Sequence, residues 1–386
     1  MTITLKEIIP ISNELMKDYG LCDSCLGRLF SKQLNLSSNK LLGKKLKIHV
    51  NQPTKCFICK NLLDDLSIYL KLMLNASSKY SYSSLVVGAL IKPSIIDRDD
   101  YIKSKYKLKG IDSIKTDITK ELGKQFIKKT RKIIDFLNPD LTFTINFKDE
   151  SCQIRSKSIS LCGRYTKSER RLPQKQKSCI NCSGKGCKSC NLHGITEYDS
   201  VEGKISKFLF TIFGGTTAKF TWVGGEDHTS LVLGSGRPFY VKLQNPFKRN
   251  ISLPKKIFSD SIIIHNFKII SDPPKIPIKF NSLIELKIST AHEIIPENMK
   301  KLKNILSNPV IIYEKSGKRT EKFISTLKYK KISKNHFKLI IKAEGGLPVK
   351  RFVAGDGVTP GICQIMNDQC TCMAFDFLEI NLIGNN

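Results

Sequence analysis

Residues 222–249 read WVGGEDHTSLVLGSGRPFYVKLQNPFKR and combine two glycine turns with runs of apolar residues. They contain one acidic pair, Glu226 and Asp227. The other charged side chains of this stretch are basic: Arg237, Lys242, Lys248 and Arg249. A carboxylate on a basic surface weakens the binding of a polyanion, so the pair indicates a chemical role. The alternative is an aspartate that turns the chain before a strand.

The composition of the 386-residue chain favours a polyanionic partner. It carries 64 Lys and Arg against 34 Asp and Glu, a formal net charge of +30. Such an excess is typical of proteins that bind nucleic acid or an anionic membrane surface. No apolar run approaches the roughly 20 residues of a spanning helix, and the N-terminus lacks the layout of a signal peptide. We therefore predict a nucleic-acid partner and no membrane association.

Most of the thirteen cysteines lie in CxxC pairs. Without an export signal, such pairs are typical of zinc ligands in a reducing compartment, which predicts a cytoplasmic location. The first two pairs lie in LCDSCLGRLF and KCFICK, and we predict one four-cysteine zinc site at Cys22, Cys25, Cys56 and Cys59. Two independent buried cysteine pairs are the alternative.

The segment CINCSGKGCKSC holds the densest cysteine motif, with Cys179, Cys182, Cys187 and Cys190. Its glycines allow the backbone to turn tightly, so that four thiolates can converge on one ion. Four cysteines leave no open coordination position, and we therefore predict a structural rather than a catalytic zinc ion. In total, the sequence predicts one or two structural zinc sites.

The first half of the chain is predicted to contain a small α+β unit. Apolar residues recur at helical spacing in NLLDDLSIYLKLMLNA (61–76), and the basic span 115–135 has an amphipathic helical pattern. LVVGALIK (85–92) is typical of a buried strand. TFTINF (142–147) and CQIRSKSISLCGRY (152–165) are typical of further strands of the same unit.

Cationic side chains cluster in GRYTKSERRLPQKQK (163–177). Because lysines and arginines can follow phosphates and an aromatic ring can stack on a base, the segment predicts RNA contact. The residues assigned to substrate binding here are Arg164, Tyr165, Arg170 and Arg171. A solvated surface without a partner is the alternative, since that is the usual role of a charge run.

From Asp199 onward, helical and strand patterns alternate, which predicts a larger mixed α+β domain. SVEGKISKFLFTIF is predicted to form a helix before the strand that leads to Glu226 and Asp227. The other predicted elements are strands on either side of the glycine turn in LVLGSGRPFYVKLQ (231–244), strands in 275–288 and 337–355, and a basic helix near 296–306.

Several of these segments resemble the archaeal tRNA pseudouridine synthase 10 family. The most specific match is GGEDHTSLVLGSGRPFYVKLQNPFKR (224–249), and AEGGLPVKRFVAGD (343–356) resembles the last catalytic motif of the family. LCDSCLGRLF and CINCSGKGCKSC resemble its two zinc motifs. The span between VVGALIKPS and QIRSKSISLCGRY resembles its THUMP-type RNA-binding domain. The similarity runs from Leu21 to about Ile380.

The resemblance implies an α+β protein that isomerises uridine 54, uridine 55 or both in the TΨC arm of tRNA. It implies four regions: an N-terminal four-cysteine zinc and helical region (1–75), a THUMP-like RNA-binding domain (76–175), a four-cysteine zinc knuckle (176–198) and a pseudouridine synthase domain with a mixed sheet (199–386). It implies structural zinc but no organic cofactor, and no obligate protein partner.

The resemblance also assigns site residues. Asp227 takes the position of the nucleophile and Lys350 a basic position of the last motif. Either Lys350 or Arg237 is expected to pair with Asp227 and keep it ionised. Phe280 stands where relatives carry a tyrosine, so it can stack on a flipped base but lacks the hydroxyl. Pro348 stands where relatives carry a second tyrosine that contacts the substrate.

Two other functions remain open. An RNA-binding domain followed by GGEDHTS superficially resembles an ATP-dependent tRNA thiolase, whose SGGxDS loop cradles phosphate at a helix N-terminus. Val223 and His228 replace both serines of that loop, and a strand-like pattern follows. The other alternative is a tRNA-binding or folding protein that keeps the scaffold and, without the two tyrosines, has weakened catalysis.

Overall fold

The computed structural model describes residues 5–31, 34, 38–47, 55–274 and 277–384. The chain divides into two compact units, Met1–Lys157 and Ser158–Asn386. Each unit has its own hydrophobic core and its own sheet structure. In the part of the chain that the structure describes, every helix is too short or too polar to span a bilayer.

The first unit is an α+β structure around a four-stranded sheet. Its described strands are β1 (Ser84–Leu90), β2 (Ile133–Ile134), β3 (Leu141–Asn146) and β4 (Ser151–Ser156), in the order β2-β1-β3-β4. β1 is parallel to β2 and β3, whereas β3 and β4 are antiparallel. Its described helices are α1 (Leu5–Asp18), α2 (Asp23–Ser31), α3 (Asn39–Leu46), α4 (Ser67–Ser77), α5 (Pro93–Lys105) and α6 (Ile114–Thr130).

Residue periodicity explains how this unit packs. Leu141, Phe143 and Ile145 of β3 are buried, because alternate side chains of a strand share one face. On α6, Leu122 and Phe126 lie one turn apart and are buried in the same core. The rings of Phe126 and Phe143 have centroids 5.1 Å apart, so α6 packs directly on the sheet.

The second unit is built on a large mixed sheet. Its described strands are β5 (Ile159–Lys167), β6 (Ala218–Trp222), β7 (Val232–Leu243), β8 (Lys256–Ser259), β9 (Ile262–Ile270), β10 (Phe280–Thr290), β11 (Val310–Tyr313), β12 (Arg319–Lys322), β13 (Ile324–Lys331), β14 (His336–Glu344), β15 (Val358–Thr359) and β16 (Cys370–Leu382). The large sheet has the order β13-β14-β10-β16-β7-β5-β9-β8, with β6 also paired to β7. A small sheet has the order β12-β11-β15.

Short helices connect and cover these strands. They are α7 (Val201–Phe213), α8 (Pro296–Lys301), α9 (Val349–Ala354) and α10 (Ile362–Met366), with 3₁₀ turns at Lys188–Cys190 and Leu302–Leu306. α7 is the helix predicted in SVEGKISKFLFTIF. It begins where the Ser200 hydroxyl accepts a hydrogen bond from the N–H of Gly203 at 2.9 Å, which caps its first turn.

β16 occupies the centre of the large sheet. It is antiparallel to β10 on one side and parallel to β7 on the other, where Phe377 lies opposite Val232. β7 begins at the end of the 223–231 segment, so this segment lies beside the middle of the sheet. The acidic pair therefore lies on a turn next to the central strands of the large sheet.

The structure separates two segments that the sequence placed in one small unit. Of the predicted strand region 152–165, β4 belongs to the sheet of the first unit, but β5 belongs to the large sheet of the second. Periodicity identifies a strand without identifying its sheet, which explains the error. The break between the units follows Lys157, and no such break falls at the predicted boundary 175. The other predicted boundaries stay predictions.

Two predicted elements of the second unit have a different form. Residues 231–244 contain one continuous strand, β7, instead of two strands around a turn. Gly234 and Gly236 adopt the positive φ angles of +55° and +72° that the strand requires at these positions. The predicted strand 337–355 is a strand followed by a helix. β14 ends at Glu344, and α9 begins directly after Pro348.

Candidate active site

The segment 223–231 forms a turn between β6 and β7 and carries the acidic pair. Gly224 has a φ of +75°. A Cβ at this position would lie 2.5 Å from the ring of Phe280 and 3.0 Å from Nη1 of Arg237. A glycine is therefore required here, and it allows the turn to lie directly against Phe280.

The Asp227 carboxylate has a defined set of hydrogen-bond donors. Oδ2 accepts from Nζ of Lys350 at 2.7 Å. Oδ1 accepts from the backbone N–H of Thr229 at 2.9 Å and from its hydroxyl at 2.6 Å. The side chain of Asp227 is 22% exposed and that of Lys350 is 52% exposed, so the pair is accessible to a ligand.

These contacts determine the charge of Asp227. Partial burial alone would raise the pKa of Asp227, but the hydrogen bonds from Lys350 and Thr229 outweigh it and hold that pKa well below its usual value. The carboxylate is therefore ionised at neutral pH. Lys350 reaches it from the first turn of α9.

Asp227 and Lys350 line an open cleft of about 310 Å³. Its apolar wall includes Pro348 and Phe377. A second space of about 240 Å³, lined by Phe280, adjoins it because Phe377 lines both. An ionised carboxylate is thus placed beside flat apolar surfaces, an arrangement that can receive a planar ring and a reacting carbon next to it.

Glu226, the neighbour of Asp227, lies in a fully buried cluster of charges. Its Oε1 is 3.0 Å from Nζ of Lys167, and its Oε2 is 3.4 Å from Nε of Arg237. Oε2 also accepts a hydrogen bond from the Tyr165 hydroxyl at 2.9 Å. Burial and the nearby Glu226 raise the pKa of Tyr165, so this hydroxyl keeps its proton and acts as the donor.

Arg237 does not pair with Asp227. Besides its contact with Glu226, its Nη1 donates to the backbone carbonyl of Val223 at 2.7 Å, and its guanidinium carbon lies 4.3 Å from the ring centroid of Phe377. Arg237 is wholly buried, because β7 directs it into the interior of the unit. Of the two predicted partners of Asp227, the structure places Lys350 against it.

The structure contradicts the predicted RNA contact of Tyr165. The residue has no exposed surface and packs edge-on against Trp222, with ring centroids 5.8 Å apart. It lies on the core-facing side of β5, so it cannot stack on a base. Arg164, on the opposite side of β5, donates to the backbone carbonyls of Ser235 at 2.6 Å and Gly236 at 2.8 Å and therefore bridges parts of the protein itself.

Arg170 and Arg171 differ in their surroundings. Arg170 donates from Nη1 and Nη2 to the two carboxylate oxygens of Asp376, each at 2.7 Å, and from Nη1 to the carbonyl of Thr229 at 2.6 Å. These contacts tie Arg170 to the protein itself, but its side chain is 37% exposed, so its contact with substrate stays a prediction. Arg171 is exposed and stays a predicted RNA contact.

The cysteines of the first unit come together as predicted. Cys22, Cys25, Cys56 and Cys59 are buried, and their sulfurs lie within 4.8 Å of one another. The sulfurs of Cys22 and Cys59 are 3.6 Å apart. Four sulfurs about 2.3 Å from a tetrahedral zinc ion would lie about 3.8 Å apart, so the group fits zinc.

The knuckle cysteines converge in the same way. Sulfur separations are 4.0 Å for Cys179 and Cys187, 3.8 Å for Cys182 and Cys190, and 3.7 Å for Cys187 and Cys190. The backbone N–H groups of Gly186 and Gly194 each point at a cysteine sulfur at 3.2 Å. Such donors stabilise thiolates, the form in which cysteine binds a metal. Both groups can therefore hold a metal ion.

The turn at 223–231 does not have the geometry of a phosphate-binding loop. Such a loop needs a helix directly behind it, whose N-terminal N–H groups face the phosphate. Here the turn is followed by strand β7. The alternative of an ATP-dependent thiolase is therefore wrong.

Comparison with known proteins decides the family. A model described as "Pus10, C-terminal" matches residues 160–381, and one described as "Pus10 THUMP domain, archaeal" matches residues 69–146. The protein of Nitrosopumilus maritimus named tRNA pseudouridine synthase Pus10 is 60% identical over 379 residues, which cover 98% of this chain and 99% of that protein. The chain belongs to the Pus10 family.

More distant relatives carry the same name. The Cenarchaeum symbiosum protein is 33% identical over 95% of this chain and 91% of its own length. The Methanosphaera stadtmanae protein is 28% identical over 95% of this chain and 97% of its own length. The resemblance inferred from the motifs is confirmed, as are the α+β fold and the THUMP domain. The Pus10 family consists of tRNA pseudouridine synthases, which are isomerases.

Sequence reasoning did not single out several residues that surround Asp227 in this Pus10 family member. Lys167, Thr229 and Asp376 all contact the turn or its anchors. Two of them left a signal. Lys167 follows Tyr165 at strand spacing on the apolar face of β5, and Asp376 interrupts the apolar strand β16. A charged residue on an apolar strand face indicates a buried ionic partner.

Proposed function

We propose that the chain converts uridine to pseudouridine at position 54, position 55 or both in the TΨC arm of tRNA, with Asp227 as the nucleophile. The observation that carries this proposal is the ionised Asp227, paired with Lys350 at 2.7 Å and open to a cleft. Membership of the Pus10 family provides the reaction class. The tRNA position and the residue roles are the parts that need testing.

The reaction requires one carboxylate and a pocket that retains the free base. In the direct route, a carboxylate oxygen of Asp227 bonds to C1′ while the C1′–N1 bond breaks and N1 keeps the electron pair. The uracil then turns, C5 bonds to C1′, the carboxylate leaves, N1 gains a proton and C5 loses one. In the other route, Asp227 first removes the 2′ proton. Both routes need an ionised carboxylate. The hydrogen bond from Lys350 stabilises that ionised form.

The apolar walls support a role in holding the base. A uridine within a folded arm has to be flipped out of its stack, at a cost of a few kcal/mol. Stacking on Phe280, or contact with Pro348, would recover part of this free energy. Both residues line the spaces beside Asp227. Neither has the hydroxyl of a tyrosine, so their contribution is stacking and shape.

The rest of the chain supports tRNA binding. A net charge of +30 provides a long-range attraction to phosphates, and the THUMP match at 69–146 supports RNA binding by this domain. We propose that this domain holds the tRNA while the second unit acts on it. Arg171, which is exposed, is a candidate for a phosphate contact.

We propose structural zinc in both four-cysteine groups. At each group the four sulfurs are spaced as a tetrahedral ion requires, and the metal would close the loops between them. Thiolate ligands need a reducing compartment, so we place the protein in the cytoplasm. Metal analysis of natively purified protein is expected to find about two zinc ions per chain. Less than one per chain would contradict the proposal.

The direct test uses an unmodified tRNA transcript, incubated with the protein without ATP. We expect pseudouridine at position 54, position 55 or both. We expect Asp227→Ala to reduce its formation by on the order of 1,000-fold or more, since the nucleophile is removed. Asp260→Ala is a matched control, because Asp260 also pairs with a lysine, Lys204, at 2.8 Å but on an exposed surface.

The same experiment addresses the second candidate, a tRNA-binding or folding protein with weakened catalysis. Phe280 and Pro348, which stand in place of tyrosines, favour this candidate. Tight tRNA binding by wild type and by Asp227→Ala, without product from either, would establish it. Product from wild type that is lost in Asp227→Ala and kept in Asp260→Ala would exclude it.

A further inference from the structure

The turn that carries Asp227 is held by residues of one continuous segment. Strand β5 supplies Tyr165 and Lys167, and the chain directly after it supplies Arg170 and Gln174. All four contact the turn 223–231 or its side chains. We name this set, together with Glu226, Arg237 and Asp376, the clasp. The clasp contains neither Asp227 nor Lys350, the residues to which the chemistry is assigned.

The buried part of the clasp precedes Asp227. Glu226 is fixed between Lys167 and Arg237, and all three side chains are fully buried. Burial of ion pairs is costly because both charges lose water, and apolar residues of similar size are often at least as stabilising. Stability alone therefore does not explain three buried charges. Control of the local geometry is the remaining benefit that such a network provides.

The backbone of the turn is held at the same points. Nη1 of Arg237 donates to the carbonyl of Val223 at 2.7 Å, and Gln174 donates to the carbonyl of Gly224 at 3.3 Å. Nζ of Lys167 lies 3.5 Å from the carbonyl of Asp227 itself. The chain that leads into the nucleophile is thus fixed from Val223 to Asp227.

The other part of the clasp follows Asp227. Arg170 donates to the carbonyl of Thr229 at 2.6 Å and pairs with both oxygens of Asp376 at 2.7 Å. Oδ1 of Asp376 accepts from the N–H of Leu231 at 2.9 Å. Thr229 is in turn the residue whose N–H and hydroxyl bind the Asp227 carboxylate. The clasp therefore fixes the donors of Asp227 as well as its backbone.

We propose that the clasp positions the Asp227 carboxylate for reaction, so that Glu226 and Arg170 are positioning residues that act through Asp227. The inference rests on the proposed function, since it concerns the same nucleophile. Both ends of the turn are tied to the segment 165–174, and a loosened end would let the carboxylate move away from Lys350 and the cleft. A displacement of about 1 Å costs on the order of 100-fold in rate when reacting groups must be aligned.

The test compares single-turnover rates and tRNA affinities of Glu226→Gln and Arg170→Gln. Glu226→Gln keeps the size of the side chain and an oxygen for Tyr165 but removes the charge. We expect each variant to lower the rate about 10- to 100-fold with tRNA affinity within about two-fold of wild type. Neither change should have a further effect when combined with Asp227→Ala. If Glu226→Gln fails to fold, Arg170→Gln still tests the proposal. Its side chain is 37% exposed, so its replacement should disturb folding less than a change in the buried cluster.

Asp368→Asn is the matched control. Asp368 is also a largely buried carboxylate, 12% exposed, and it pairs with His292 at 2.9 Å away from the turn. We expect its rate to equal that of wild type. A wild-type rate in folded Glu226→Gln and Arg170→Gln, or a loss confined to tRNA affinity, would overturn the proposal.

A second readout separates the clasp from the proposed function. The Asp227 carboxyl can be titrated by carbon-13 NMR whether or not the protein forms pseudouridine. If the clasp holds Asp227 against Lys350, the pKa of this carboxyl should rise toward its usual value in Glu226→Gln and Arg170→Gln. An unchanged titration would count against the clasp, whereas an inactive wild type with a shifted titration would contradict only the proposed function.

Discussion

The two carboxylates of the 223–231 turn are neighbours in sequence and have opposite surroundings. Glu226 is fully buried with Lys167 and Arg237, whereas Asp227 is partly exposed, beside a half-exposed Lys350 at the edge of a cleft. Each carboxylate has a lysine within 3.0 Å. The difference lies in access to solvent and substrate, and access determines which of the two can react.

The comparison explains why an acidic pair occurs in a basic stretch. A buried carboxylate between two cations cannot reach a substrate, but it can hold the backbone beside it. An exposed carboxylate with one cation keeps its charge and remains available. In the proposed function, Glu226 therefore supports the turn and Asp227, the adjacent residue, carries out the chemistry. Replacement of the matching lysines tests this separation.

The largest expected effect is on stability, in Lys167→Met. This change removes one cation from the buried cluster and leaves Glu226 with Arg237 and Tyr165, so we expect the free energy of unfolding to fall by about 3 kcal/mol. Lys350→Met, the matched change on the open side, should lower it by less than about 1 kcal/mol, because exposed ion pairs contribute little. Urea unfolding of both variants measures the difference. Equal losses of unfolding free energy in the two variants would contradict the contrast between the buried pair and the exposed pair.

The next effect is on turnover, in Lys350→Met. Without its ammonium, Asp227 loses the donor that orients Oδ2, and we expect pseudouridine formation to slow by roughly 10- to 100-fold with the fold intact. Lys204→Met is the control, since Lys204 also pairs with an aspartate, Asp260, at 2.8 Å. A wild-type rate in Lys350→Met would show that Lys350 does not contribute to the reaction.

The smallest expected effect is a shift of the acid limb of the pH–rate profile. The pKa of Asp227 is lowered in the folded protein, so wild type should keep its active carboxylate well below pH 7. In Lys350→Met the pKa should rise toward the usual value of about 3.9, and activity should be lost at a higher pH than in wild type. The contribution of Asp227 to stability is present above its unfolded pKa and is lost as the pH falls through the lowered folded pKa. Identical acid limbs in the two proteins would show that Lys350 does not set this charge.

The sequence predicted the parts that depend on local spacing. The two four-cysteine groups come together in the structure, and α7 follows its apolar periodicity. Asp227 stood out because its charge differs from that of its neighbours. Gly345, Gly346 and Pro348 precede α9 and are a local signal for the end of a strand. The predicted strand 337–355 nevertheless ran through them.

The sequence did not predict what depends on long-range pairing. Tyr165 and Arg170 look like RNA ligands within a cationic segment, but their partners, Glu226 and Asp376, are distant in sequence. Whether a strand side chain points to solvent or into the core depends on the sheet that the strand joins. The prediction placed β5 in the wrong sheet. That topological error explains the misassignment of Tyr165, which lies in β5.

The central place of β16 has a consequence for biosynthesis. Among the described strands it is the last to leave the ribosome, yet it fills the position between β10 and β7. Until it arrives, the nascent chain lacks both the middle of its large sheet and Asp376, which binds Arg170 and the N–H of Leu231. In an incompletely translated chain, Asp227 therefore lies on a turn that still lacks the neighbouring strand and the Asp376 contacts that hold it.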